Sequence, residues 1–153
     1  MDGGMNMAIV GFQFTKMRVE RTGSAKGKIG VKHNVGIKNV EQAEFSLGKS
    51  GQEAVKFQFT FSIVYDPQIG EVLLEGEVTD ILPQKDAKAV VEMWKKQKQL
   101  EPNLMAELLN VIYTKCNIQA LILTKDLNLP APIRIPRINV KVNPPPRAPA
   151  TAK

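Results

Sequence analysis

Val55-Lys56-Phe57-Gln58-Phe59-Thr60-Phe61-Ser62-Ile63-Val64-Tyr65 sets large apolar residues at every second position. Successive side chains of an extended backbone leave on opposite sides, so a period of two is the mark of a strand with one face against a core. Val55, Phe57, Phe59, Phe61, Ile63 and Tyr65 form the inward side, and Lys56, Gln58, Thr60 and Ser62 the outward one. Asp66-Pro67-Gln68-Ile69-Gly70 then reads as a turn, with proline presetting φ and glycine free to take a positive one. The returning stretch, Glu71 to Leu82, alternates again. Val72, Leu74 and Val78 point inward, Glu71, Glu75, Glu77 and Thr79 outward, and Leu73 is an apolar exception on the outer side. Pro83 ends it, and the pair is an antiparallel hairpin.

Upstream, residues 8 to 21 read as another strand, but Phe12 and Phe14 occupy even positions while Met17 and Val19 occupy odd ones. That change of phase predicts a bulge or sharp twist near Thr15 and Lys16. After the flexible Gly23-Ser24-Ala25-Lys26-Gly27, a fourth strand sets Ile29, Val31, His33, Val35 and Ile37 against Lys28, Gly30, Lys32, Asn34 and Lys38. Downstream the period lengthens. Ala87, Val90, Val91 and Trp94 lie on one helical face, with Asp86 as the expected N-cap. Beyond the break at Glu101-Pro102, a wide apolar stripe from Leu104 to Thr124 predicts a long helix. Leu127-Asn128-Leu129-Pro130-Ala131-Pro132 and the prolines beyond cannot be helical. The expected fold is therefore α+β: a four-stranded antiparallel sheet followed by a short and a long helix packed on one face, with an extended Pro-rich C-terminal segment. Residues 1–7 are assigned to a flexible N-terminus, 8–142 to a single domain and 143–153 to a basic, Pro-rich tail.

The 153 residues suit one domain, and 43% hydrophobic with 24% charged residues is globular composition. The only cysteine, Cys116, excludes an intramolecular disulfide or a multi-thiolate metal site, and the only histidine, His33, excludes a His cluster. His33 reads as a core or interface histidine, Cys116 as a small buried hydrophobe, and Glu71, Glu75, Glu77 and Asp80 as a charged strand face rather than paired catalytic carboxylates. Neither a catalytic residue nor a cofactor or metal site is expected. The longest apolar stretch is too often interrupted by polar residues to span a membrane. The opening Met1-Asp2-Gly3-Gly4 lacks the basic start of a secretory signal, which predicts a cytoplasmic protein.

The net charge of +6 is unevenly spread: residues 1–38 carry seven basic and two acidic side chains, residues 127–153 five and none. Lys16, Arg18, Arg21, Lys26, Lys28, Lys32 and Lys38, with Arg134, Arg137, Lys141, Arg147 and Lys153, are the candidates for contacting phosphates if RNA or a ribosome is the partner. Phe12, Phe14, Met17, Tyr65, Leu73 and Trp94 are the apolar residues least easily housed in a core, coming from the phase change, a strand end, an outward position and a helix end. Gathered in a groove, they would bind other apolar chains.

The order of elements, the Gly-containing turn, Pro102-Asn103-Leu104, the long helix, Leu127-Asn128-Leu129-Pro130 and Pro136-Arg137-Ile138-Asn139 together resemble the SecB protein-export chaperones over residues 10 to 142. The resemblance implies a non-enzymatic, oligomeric chaperone that holds unfolded or pre-secretory polypeptides in apolar grooves without nucleotide, the six residues above being the groove candidates. Familiar members are acidic, whereas this chain is basic at both ends. The alternative is a ribosome- or RNA-associated protein gripping phosphates with those ends.

Overall fold

The computed structural model describes residues 8–24, 26–43, 51–134 and 136. The expected residues 1–7 and 143–153, with the domain limit at 142, lie outside them. Strands β1 (Ala8–Arg21), β2 (Gly30–Gln42), β3 (Gln52–Asp66) and β4 (Gly70–Pro83) precede helices α1 (Gln84–Gln97) and α2 (Pro102–Asp126). The sheet is antiparallel in the order β1-β4-β3-β2, so the β3–β4 hairpin is its centre and β1 and β2 are its edges. This is the α+β fold read from the sequence. β2 runs further than its alternation indicated, because Val40 continues the inner face after a break in the pattern.

That break has the same origin as the one in β1. Opposite β4, Phe14 pairs with Gly76 and Lys16 with Glu75, leaving Thr15 as an extra residue; Val10 is extra between Ile9 and Gly11. In β2, Lys38 is extra between Ile37 and Asn39. Each bulge resets the phase, so Phe12, Phe14, Met17 and Val19 all lie on the face that carries Val72, Leu74 and Val78. Both central strands keep an unbroken register with one another. Bulges confined to the edges twist them and discourage unwanted pairing.

The inner face is the core. Phe57, Phe59, Phe61, Ile63, Tyr65, Val72, Leu74 and Val78 are buried beneath both helices. α1 contributes Ala87, Val90 and Trp94, and α2 contributes Leu104, Leu108, Ile112, Cys116 and Ala120, spaced by four residues as a single helical stripe demands. Asp86 does not cap α1: Pro83 holds the N-cap position, and Asp86 lies in the first turn, where its charge still favours the helix dipole. The cap of α2 is Glu101, whose carboxylate accepts hydrogen bonds from the backbone amides of Asn103 (2.9 and 3.0 Å) and Leu104 (3.3 Å). Just past the end of α2, Asn128 takes the left-handed region (φ 55°), and the Leu129 amide donates to the Thr124 carbonyl. Leu129 then packs onto Gly70, where a Cβ would stand 2.9 Å from its methyl carbon and 2.5 Å from the Glu20 carbonyl oxygen.

Candidate functional site

The sheet has two faces of different chemistry. On the outer face, which the helices do not cover, ion pairs run across the strands: Arg18–Glu71 at 3.1 Å, Lys38–Glu75 at 3.4 Å and Lys56–Glu77 at 3.6 Å. A depression of about 750 Å³ on this face includes Gln13, Glu41, Lys56, Glu77 and Thr79 in its walls. Leu73 lies here, opposite Arg18 and Ser62, and not with the other groove candidates.

On the inner face, both helices pack over β2, β3 and β4, and neither makes comparable contact with β1. The β1 side chains that the bulge at Thr15 turns inward are consequently only partly covered. Phe12, Phe14 and Val19 lean on the edge of the core, and Met17 is 48% exposed. Phe12 stacks on Phe59 at 5.2 Å between centroids and meets Phe14 edge-on at 5.3 Å. Gly76 makes this cluster possible. A Cβ there would lie 2.3 Å from the Gln13 carbonyl oxygen and 2.6 Å from the Phe59 ring.

α2 touches this strip at its two ends. Lys115 Nζ stands 5.3 Å over the Phe12 ring at one end of the strip. At the other, the Arg21 guanidinium donates to the carbonyls of Leu127 (3.0 Å) and Asn128 (3.3 Å), just past the helix. These two contacts hold α2 alongside β1. Ile118 and Ile122 are 56% and 48% exposed, but Ile118 is two residues from both buried Cys116 and buried Ala120, which puts it, with Ile122 near it, on the side of α2 turned away from the sheet. The apolar surface left beside the core is therefore the strip of β1 itself, with Phe12, Phe14 and Val19 partly buried and Met17 exposed. Sequence reading found Phe12, Phe14 and Met17 of this strip but not Val19, whose place beside them is set by the register with β4.

Two groove candidates are corrected. Tyr65 has no solvent exposure and Trp94 only 6%: both belong to the core. Tyr65 ends an inward-facing strand and its hydroxyl donates to the Pro130 carbonyl, so the segment after α2 closes over it. Burial pushes its phenol up to about 12. Trp94 faces the sheet from α1, with Lys98 over its ring at 5.6 Å. The phosphate candidates also divide. All eight within the described residues are exposed, but Arg18 and Lys38 are paired with carboxylates and Arg21 with backbone carbonyls. Arg137, Lys141, Arg147 and Lys153 lie outside the described residues.

His33 sits on the inner face of β2 between Phe61 (6.0 Å) and Tyr113 of α2 (5.8 Å). Burial holds its pKa below the usual imidazole value, against a partly opposing hydrogen bond with the backbone of Pro132. Cys116 is buried in the core, which pushes its thiol up to about 12. Among the described residues no group of three or more His, Cys, Asp or Glu is placed to hold a metal ion. Nor is any helix of these residues long and apolar enough to cross a membrane.

No protein-family model and no curated protein matches this chain. Among solved structures it is similar to the SecB-like chaperone of Mycobacterium tuberculosis in complex with a ChAD peptide from an antitoxin. The identity is 11%, with 86% of this chain and 90% of that chain covered and a TM-score of 0.44.

Proposed function

We propose that this protein is a non-enzymatic chaperone of SecB-like type that holds apolar segments of unfolded polypeptides along the half-covered apolar strip of β1. The observation that supports this reading is the half-open strip of Phe12, Phe14 and Met17, apolar residues turned toward the core side and covered there only in part, Met17 least. Contiguous exposed apolar surface on a folded domain marks an interaction site. Burying a client side chain there gains about 25 cal/mol per Å², with no nucleotide or cofactor required. The phosphate-gripping alternative draws less support, because Arg18, Arg21 and Lys38 already have partners within the fold.

Suppression of aggregation of a chemically denatured client, assayed at increasing ratios of this protein, tests the proposal. Met17→Asp is expected to weaken holding severalfold while changing stability by less than about 0.5 kcal/mol, as surface substitutions do. Leu73→Asp, on the other face of the sheet, is expected to leave holding intact. Equal holding by wild type and Met17→Asp, or none by wild type, would overturn the reading. Holding is further expected to change little between low and moderate salt, whereas binding to RNA through several phosphates would fall steeply.

A further inference from the structure

Past α2 the chain turns back and crosses one end of the sheet, and each strand it crosses holds it by a different group. Leu129 packs on Gly70 where β4 begins, the Tyr65 hydroxyl near the end of β3 donates to the Pro130 carbonyl, and His33 of β2 is hydrogen-bonded with the backbone of Pro132. Leu129 and Pro132 are buried, so the segment covers the inner face it crosses. Arg21 secures its start through the carbonyls of Leu127 and Asn128 at 3.0 and 3.3 Å. These ties differ in their response to acid. A guanidinium stays charged, a leucine contact carries no proton, and the Tyr65 phenol, pushed up to about 12, stays neutral. Imidazole is the one whose charge changes between about pH 5 and 8.

His33 is badly placed to take up a proton. Its Nε2 is buried with no hydrogen-bond partner, and its ring stands 6.0 Å from Phe61 and 5.8 Å from Tyr113 between centroids. The titratable groups that face it are both phenols: Tyr113 from α2, and Tyr65 from β3, diagonally across on the same face. Neither is a carboxylate. Of the cations, Lys32 beside it on β2 lies on the outer face, Lys115 of α2 stands over Phe12, and Arg134 of the returning segment is exposed. An imidazolium here would hold an N–H with no acceptor in apolar surroundings, which costs more than the bond with Pro132 returns. We infer that His33 is an acid-sensitive latch: on protonation the ring leaves its slot, the bond with Pro132 goes with it, and residues 131–134 lift from β2 while Leu129 and Pro130 stay held by β4 and β3. Because burial holds the imidazole below its ordinary value near 6.5, the closed form is favoured above about that pH and opening sets in as the pH falls below it. What opening uncovers is the apolar inner side of β2, where Val31 and Val35 flank His33 and are already only half-buried.

The experiment follows the backbone amides of the full chain, labelled with nitrogen-15, by NMR between about pH 7.5 and pH 5, together with the ring protons of its single histidine. Ala131 and Ile133, which flank Pro132, are expected to lose order, their amide order parameters falling below about 0.6. That loss should share its midpoint with the titration of the imidazole, below about pH 6.5. Leu129, whose amide donates to the Thr124 carbonyl at 2.9 Å, is expected to stay ordered. His33→Phe fills the slot with no proton to gain and should keep Ala131 and Ile133 ordered at the acid end. Tyr65→Phe removes the neighbouring tie and should raise the open-to-closed ratio about fivefold at a given pH, since one neutral hydrogen bond is lost. Persistent order at Ala131 and Ile133 once the ring is charged would overturn the latch, as would loss of order at Leu129 in the same step, equal loss in His33→Phe, or an imidazole midpoint above about 6.5. The ring and amide titrations are made on the unaltered protein, so they decide the matter even where a variant fails to fold.

Discussion

Gly76 sits under the Phe59 ring and against the backbone of β1, so a single methyl group has nowhere to go. Gly76→Ala is expected to cost about 1–3 kcal/mol, at the upper end because one of the two obstructing neighbours is backbone, read as a lowered urea midpoint with unchanged m-value. His33 gives a pH test. Its folded-state pKa is depressed by burial below the unfolded value near 6.5, so its neutral form favours the native state. That stability is present above about pH 6.5 and is lost as the pH falls toward the folded pKa. No described carboxylate is bonded to the imidazole; its neighbours are Phe61, Tyr113 and the backbone of Pro132. His33→Phe should therefore reduce the difference between urea midpoints at pH 7.5 and pH 5. Cys116, its thiol displaced to about 12, should resist a thiol reagent at pH 8 until the chain unfolds; rapid labelling of native protein would contradict the described burial.

Among the elements, the two central strands and both helices were legible because their patterns are unbroken and their periods differ. The change of phase between Phe14 and Met17 marked a bulge near its true position. What the pattern did not disclose was the side of the sheet on which the bulge left Met17, since that depends on the register with β4, a property of two segments more than fifty residues apart. Tyr65 and Trp94 were misjudged for a related reason. Tyr65 lies at a strand end and Trp94 at a helix end, places usually wet, but the chain after α2 returns over Tyr65 and α1 turns Trp94 toward the sheet. The cap of α2 was missed because glutamate lacks the short side chain that usually fills an N-cap. Glu101→Ala is expected to cost about 1 kcal/mol, measured by thermal or urea unfolding, with Glu101→Gln retaining part of the stability. Such a loss would show that the contacts to Asn103 and Leu104 support the long helix that covers the core.

At the level of the molecule, charge and greasiness are segregated by face. Acids and bases cross-link the outer surface, and with side chains 46% and 40% exposed the Arg18–Glu71 pair adds little to stability. The core beneath the helices therefore carries the fold, which leaves the rim of the inner face available for other molecules. A chaperone of the kind proposed would face the hazard of gripping itself, and the surplus residue at Thr15 bears on that hazard. Deleting Thr15 would leave every neighbouring side chain on its present side, because the residue opposes nothing in β4. It would, however, turn two short runs into one uninterrupted ladder from Gly11 to Arg21, long and flat enough to seed stacking of copies into fibres. The shortened chain should fold when dilute and polymerise when concentrated, visible as rising scatter and thioflavin fluorescence. One unmatched residue would thus separate a protein that stays dispersed from one that stacks into fibres.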